Sequence, residues 1–209
     1  MRIDQAEQDL QIIRKAIEAS SRYKNITARG YFFSGIVALV GVWRTYQFLG
    51  ADKVADPRLI TAANLPGLTL IWTLVLAVSL VMAVFFSWWK ARRNKISAWN
   101  SLSARMFLSQ LPLIAVAGLF TVGLALKGCY EIVPVVWLGC YGVIFYSFSY
   151  YTGKSQKIEG LVFIALATIA MFAPGPVVLA CLGLGFGGVH IVSGLSRWVA
   201  RGIARHESD

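Results

Sequence analysis

Apolar positions along the 209 residues gather into six long blocks separated by short polar connections. The blocks fall at roughly 31–49, 67–88, 106–126, 132–151, 160–173 and 176–198. They are nearly free of charge. Most reach the roughly 20 residues that a helix needs to cross a hydrocarbon core at about 1.5 Å per residue. The expected fold is an all-α membrane protein, a bundle of six transmembrane helices. The fifth block is short, and its approximately 14–16 residues cover only about 21–24 Å. It ends at Ala173-Pro174-Gly175-Pro176, where proline cannot continue a helix. Two arrangements fit that break. One is a tight outer hairpin; the other is a pair of half-helices meeting inside the membrane, as transporter sites use. Pro112 predicts a kink near the start of the third span.

Residues 3–25 follow a different period. Ile3, Ala6, Leu10, Ile13 and Ile17 recur at alternating steps of three and four, which makes a narrow apolar stripe on a helix. Asp4 and Glu7 have the spacing of a capping box. Acidic residues lie early and Arg14, Lys15, Arg22 and Lys24 late, as the helix dipole favours. An amphipathic leader helix is therefore expected, its stripe covered by the membrane surface, the cytoplasmic loops or a partner. No short apolar run with a small-residue cleavage site precedes the first span, so that span is expected to be retained. The chain reads as one membrane domain, with a leader at 1–29, the bundle at 31–198 and a tail at 199–209.

Composition agrees with a bilayer solvent. Hydrophobic residues make up 57% and charged residues 14%, against about 45–50% and about 25% in soluble domains. The charges that remain set an orientation. Sixteen of the 20 Lys and Arg residues fall in the leader, the 89–105 connection, the 152–159 turn and the C-terminal end from Arg197 onward. The other side carries only Arg44, Lys53, Arg58 and Lys127. The positive-inside rule then places both termini in the cytoplasm, which requires an even number of spans. Trp43 and Tyr46 near one interface, and Trp88, Trp89, Trp99, Tyr150, Tyr151 and Trp198 near the other, read as aromatic belts.

The net charge of +10 is mostly topological, with an added attraction for anionic lipids at the cytoplasmic face. Nucleic-acid binding is not expected, because the basic residues are dispersed among spans and form no binding motif. Partner contacts or self-association are expected through residues 3–25 and the 88–106 loop, where tryptophans alternate with basic residues.

Candidate chemistry is sparse. His190 is the one histidine in an apolar block. On an α-helix Ala180, Gly183, Gly187, His190 and Gly194 would share a face, the small residues forming a helix-packing groove. Three readings of His190 follow. It can hydrogen-bond a hydroxyl on a neighbouring helix, with Tyr141, Tyr146, Ser147 and Thr168 eligible. It can contact a solute or carry a proton. As a minor possibility it can ligate a haem or pigment against the glycines, although no cofactor is predicted.

Arg44 is the charge deepest in a span and can snorkel outward or build a polar pocket with Glu131. No Asp or Glu is expected inside a span, with Glu131 and Glu159 at edges, which disfavours ion-coupled transport. Cys129, Cys140 and Cys181 have no metal-ligand spacing, no metal site is predicted, and no hydrolase or nucleotide-binding motif occurs.

DLQIIRKAIEASSRYKN (residues 9–25), leading into a glycine- and aromatic-rich first span, and the late GFGGVHIVSG (residues 185–194) together resemble bacterial multi-span inner-membrane proteins with an amphipathic N-terminal helix. That resemblance implies a bacterial cytoplasmic membrane and brings no activity. The expected function is a non-catalytic polytopic protein acting through helix and protein contacts: an accessory subunit, scaffold or sensor partner. The alternatives are a facilitator of a small or apolar solute, and a cofactor-binding redox or pigment protein using His190.

Overall fold

A computed structural model describes residues 27–93 and 101–206, with side chains at 27–93 and 104–200. The leader helix expected at 3–25 and residues 94–100 of the 88–106 loop lie outside the described residues, as does the end of the tail.

Among the described residues the chain is helical, with no strand. Thr27 caps α1 (Ala28–Ala55) by accepting a hydrogen bond from the Gly30 N–H at 3.1 Å. Gly50 breaks that helix at φ 76°, a left-handed conformation that glycine adopts without penalty. The first span thus ends where the apolar block ends. α2 (Leu65–Arg93) returns along α1. The third span is split into α3 (Ser101–Leu108) and α4 (Leu111–Leu126). Pro112 lies in the first turn of α4, where its missing N–H breaks no helical bond.

α5 (Val133–Thr152) and α6 (Lys154–Phe172) are joined by Gly153 alone, at φ 119°. α7 (Gly175–Leu182), a π-helical segment (Gly183–Val189) and α8 (His190–His206) complete the chain as one nearly continuous rod. Six stretches are long and apolar enough to cross a membrane: Ala28–Ala55, Ala62–Arg93, Ala104–Leu126, Tyr130–Thr152, Lys154–Phe172 and Gly175–Ala200.

The core forms where α5, α6 and α7 meet. Leu138 and Phe163 are fully buried there, with Ala167, Ala170, Cys181 and Leu182 around them. α1 closes the bundle by packing on α2, α7 and α8, while α4 leans on α5. Within the apolar length of α2 no residue is buried.

The Pro174–Pro176 break sits at one end of the bundle. A Cβ on Gly175 would collide with the Val54 carbonyl oxygen and lie 2.7 Å from the Pro57 ring, so the break abuts the connection that follows α1. The Pro57–Leu59 turn in turn meets the Tyr130–Ile132 turn. Three connections cluster at this end, which is hairpin geometry. The fifth span is longer than its apolar block, because α6 already begins at Lys154. Its first turns carry Gln156 and Glu159, and these polar residues are buried rather than looped out.

Candidate functional site: a buried polar cluster around His190

His190 follows the π segment directly. The sequence there, GLGFGGV, is rich in the residue least held to α geometry. π turns are rare and concentrate at functional sites. A π turn advances less angle per residue than an α turn, so the three-and-four spacing that aligned His190 with the glycines does not carry through it.

The glycines do meet α1. A Cβ on Gly187 would collide with the Leu39 side chain, and one on Gly194 would lie 2.8 Å from the Ala28 carbonyl oxygen. Gly35 of α1 answers from the other side, where a Cβ would lie 2.7 Å from the Gly187 carbonyl oxygen. Gly183 rests more loosely over Val42 and Leu39, and Ala180 is exposed. His190 swings out of this groove, so its ring reaches both α1 and α5.

Its environment is aromatic on every side. The imidazole stacks on Tyr31 of α1 with centroids 5.4 Å apart and planes at 27°. Tyr141, Phe145 and Phe163 surround it at 5.6, 5.6 and 5.9 Å. Nε2 makes a 3.0 Å hydrogen bond with the Tyr141 hydroxyl, so Tyr141 is the partner among the four eligible residues. The Gly185 carbonyl approaches the ring from the π segment, yet Nδ1 finds no hydrogen-bond partner.

A second layer joins this ring to the ends of α6 and α8. The Gln156 Nε2–H donates to the Tyr31 hydroxyl at 2.6 Å, and the Thr152 hydroxyl contacts Gln156 Oε1. The Arg197 guanidinium lies over the Tyr31 ring, 4.3 Å from its centroid. The same guanidinium donates to Glu159 Oε1 at 2.7 Å and to the Ser193 carbonyl at 3.1 Å. The Ser155 hydroxyl also donates to Glu159 Oε1, at 2.9 Å. Glu159 Oε2 has no partner. Glu159 and His190 are each only 6% exposed.

This corrects the expectation that carboxylates stay at span edges. Glu159 is buried inside a membrane-length helix, held by an arginine 38 residues away.

The cluster thus bonds α1, α5, α6 and α8 to one another through Tyr31, Tyr141, Gln156, Glu159, His190 and Arg197. Of these the sequence marks His190, with Tyr141 among four eligible hydroxyl partners and Glu159 as an edge carboxylate. The signal for the ion pair was the presence of Glu159 and Arg197 at span edges on the same expected side, which charge counting used for topology alone.

Arg44 and Glu131 do not come together. Arg44 is exposed, donates from Nη1 to Gln47 Oε1 at 2.9 Å and lies 6.0 Å from the Trp43 ring centroid. The Arg197–Glu159 bridge is the one ion pair found among the described residues.

The geometry also bears on a macrocycle at His190. Nε2 is taken by Tyr141, the ring is enclosed by aromatics, and Leu39 covers the Gly187 surface. Among the described residues no group of three His, Cys, Asp or Glu is placed to hold a metal ion.

The Tyr141–His190 bond predicts a modest effect. Tyr141→Phe keeps the aromatic cage and removes one interhelical hydrogen bond, worth on the order of 1 kcal/mol within a membrane bundle. Thermal unfolding in detergent is expected to show that small loss, and a loss several times larger would mean Tyr141 supports more than this bond.

Comparison with known proteins returns no matching protein-family model, no matching curated protein and no matching solved structure.

Proposed function

We propose that the chain is a non-catalytic integral membrane protein that works through contacts, as an accessory subunit, scaffold or sensor partner. The single observation that carries this reading is the condition of α2. It touches the bundle mainly through α1 and buries no residue over its apolar length, so one whole span is available to lipid or to another membrane helix. The buried polar cluster supports the same reading, because Tyr141–His190, Gln156–Tyr31 and Arg197–Glu159 each tie one helix to another.

The membrane in this proposal is the bacterial cytoplasmic membrane, with both termini on the basic, cytoplasmic side, where anionic lipids meet the Lys- and Arg-rich connections. Residues 3–25 would add a cytoplasmic contact surface. Bulky substitutions at exposed α2 positions, Leu74→Trp with Val81→Trp, are expected to collapse a larger native-gel assembly to the monomer without lowering its unfolding temperature. A wild-type protein that runs as a monomer from gently solubilised native membranes would overturn the proposal.

A facilitator of a small solute is favoured by one observation: Glu159 Oε2 and His190 Nδ1 are buried and unpartnered within a single cluster. Reconstituted vesicles would then show solute uptake that His190→Ala and Glu159→Gln abolish. Unchanged uptake in both variants would exclude the cluster as the route.

A further inference from the structure

The break between α3 and α4 opens a cleft against the end of α5. Its mouth is polar. Ser109 and Gln110 supply one wall, and Ser147, Tyr150 and Tyr151 supply the other. One to two turns further along α4 the floor becomes apolar, with Leu113 and Val116. α4 begins where α5 finishes, so the two polar ends coincide and the cleft grades from hydroxyl and amide groups to hydrocarbon.

Most of this polarity is unspent. Gln110 is only 6% exposed, yet its one side-chain hydrogen bond is Nε2 to Ser109 Oγ at 3.0 Å. Its Oε1 and second amide proton have no partner among the described residues. The Ser147, Tyr150 and Tyr151 hydroxyls make no hydrogen bond among them either, although the neighbouring Ser149 bonds its own helix. Gln110, which lines the mouth, also stands at the N-cap of α4 without a side-chain capping bond. A helix N-terminus with free N–H groups favours an anionic oxygen.

We propose that this cleft holds one phospholipid from the surrounding leaflet, by its phosphodiester at the mouth and one acyl chain along Leu113 and Val116. The donors match a phosphodiester: hydroxyls, an amide N–H and a positive helix end around acceptor-only oxygens. The gradation selects a lipid over free phosphate, because inorganic phosphate would leave Leu113 and Val116 facing an empty apolar slot. The inference rests on membrane insertion. Failure of that reading would appear separately, as protein recovered in the soluble fraction after cell lysis.

The test is native mass spectrometry of the full chain in detergent. Phosphatidylglycerol, diacylglycerol with the same acyl chains, and inorganic phosphate are titrated in parallel. A single saturable phosphatidylglycerol adduct is expected, at least fivefold tighter than diacylglycerol, with no phosphate adduct. Val116→Trp fills the floor from a half-exposed position and is expected to weaken the adduct at least fivefold. Tyr150→Phe removes a hydroxyl from an exposed ring and is expected to weaken it about twofold to fivefold without altering stability. Equal binding of diacylglycerol, an adduct unchanged by both variants, or binding of inorganic phosphate alone would each overturn the proposal.

Discussion

Arg197→Met is expected to destabilise the bundle by about 3–5 kcal/mol, the usual penalty for removing one partner of a buried ion pair. The side chain does three things at once. It neutralises Glu159 at 2.7 Å, satisfies the Ser193 carbonyl and covers the Tyr31 ring. Without it the Glu159 side chain, only 8% exposed, would keep only the Ser155 hydroxyl as a partner. Combining Arg197→Met with Glu159→Gln removes the uncompensated charge. Replacing a buried pair as a whole is often neutral, so the double variant should recover most of the loss. Thermal unfolding of the four proteins in one detergent gives the cycle. A single variant within about 1 kcal/mol of wild type would show that the pair is solvated and that the cluster does not lock the helices.

The second large effect is expected at Gly160. Here α5 and α6 approach backbone to backbone: a Cβ on Gly160 would lie 2.6 Å from the Tyr146 nitrogen and 2.7 Å from the Gly142 carbonyl oxygen. Gly142 faces the same contact, 2.9 Å from the Gly160 carbonyl oxygen. Backbone cannot rotate aside as a side chain can, so even Gly160→Ala must push the helices apart. Overpacking of this kind costs about 1–3 kcal/mol, and the cost rises with size. Gly160→Leu should abolish a monodisperse species on size exclusion. Gly123→Ala is the control, because nothing lies within 4 Å of its Cβ position; there alanine's helix propensity should leave stability unchanged or raised by up to about 1 kcal/mol. Equal behaviour of the Gly160 and Gly123 variants would mean the close approach of α5 and α6 is absent.

The parts of this fold that depend on long apolar runs were legible in the sequence. Gly50 stops the first span one residue past its apolar block, and Pro112 marks the helix break at Ser109–Gln110. The fifth span was read short because Gln156 and Glu159 are polar. Hydropathy registers a residue's type, whereas burial of Glu159 depends on Arg197, which the fold brings from 38 residues away. His190 was found as a lone imidazole and Tyr141 as one of four hydroxyl partners. Its displacement from the glycine groove was not legible, because a three-and-four count assumes α geometry and residues 183–189 are π-helical. The Gly142–Gly160 contact went unseen for a related reason. Each glycine lacks a small neighbour at four residues on its own helix, and the motif exists only across the pair.

Everything above depends on the bundle crossing a membrane with its two ends on opposite sides. The most direct measurement is labelling of single-cysteine variants in intact and permeabilised cells with a membrane-impermeant maleimide. Cys129, Cys140 and Cys181 are first replaced by alanine, and cysteines are placed in turn at Lys53, Lys127, Arg93 and Lys154. The account predicts that positions 53 and 127 label in intact cells, and that 93 and 154 label only after permeabilisation. Labelling of 127 and 154 from the same side would contradict it, since α5 would then fail to cross the bilayer.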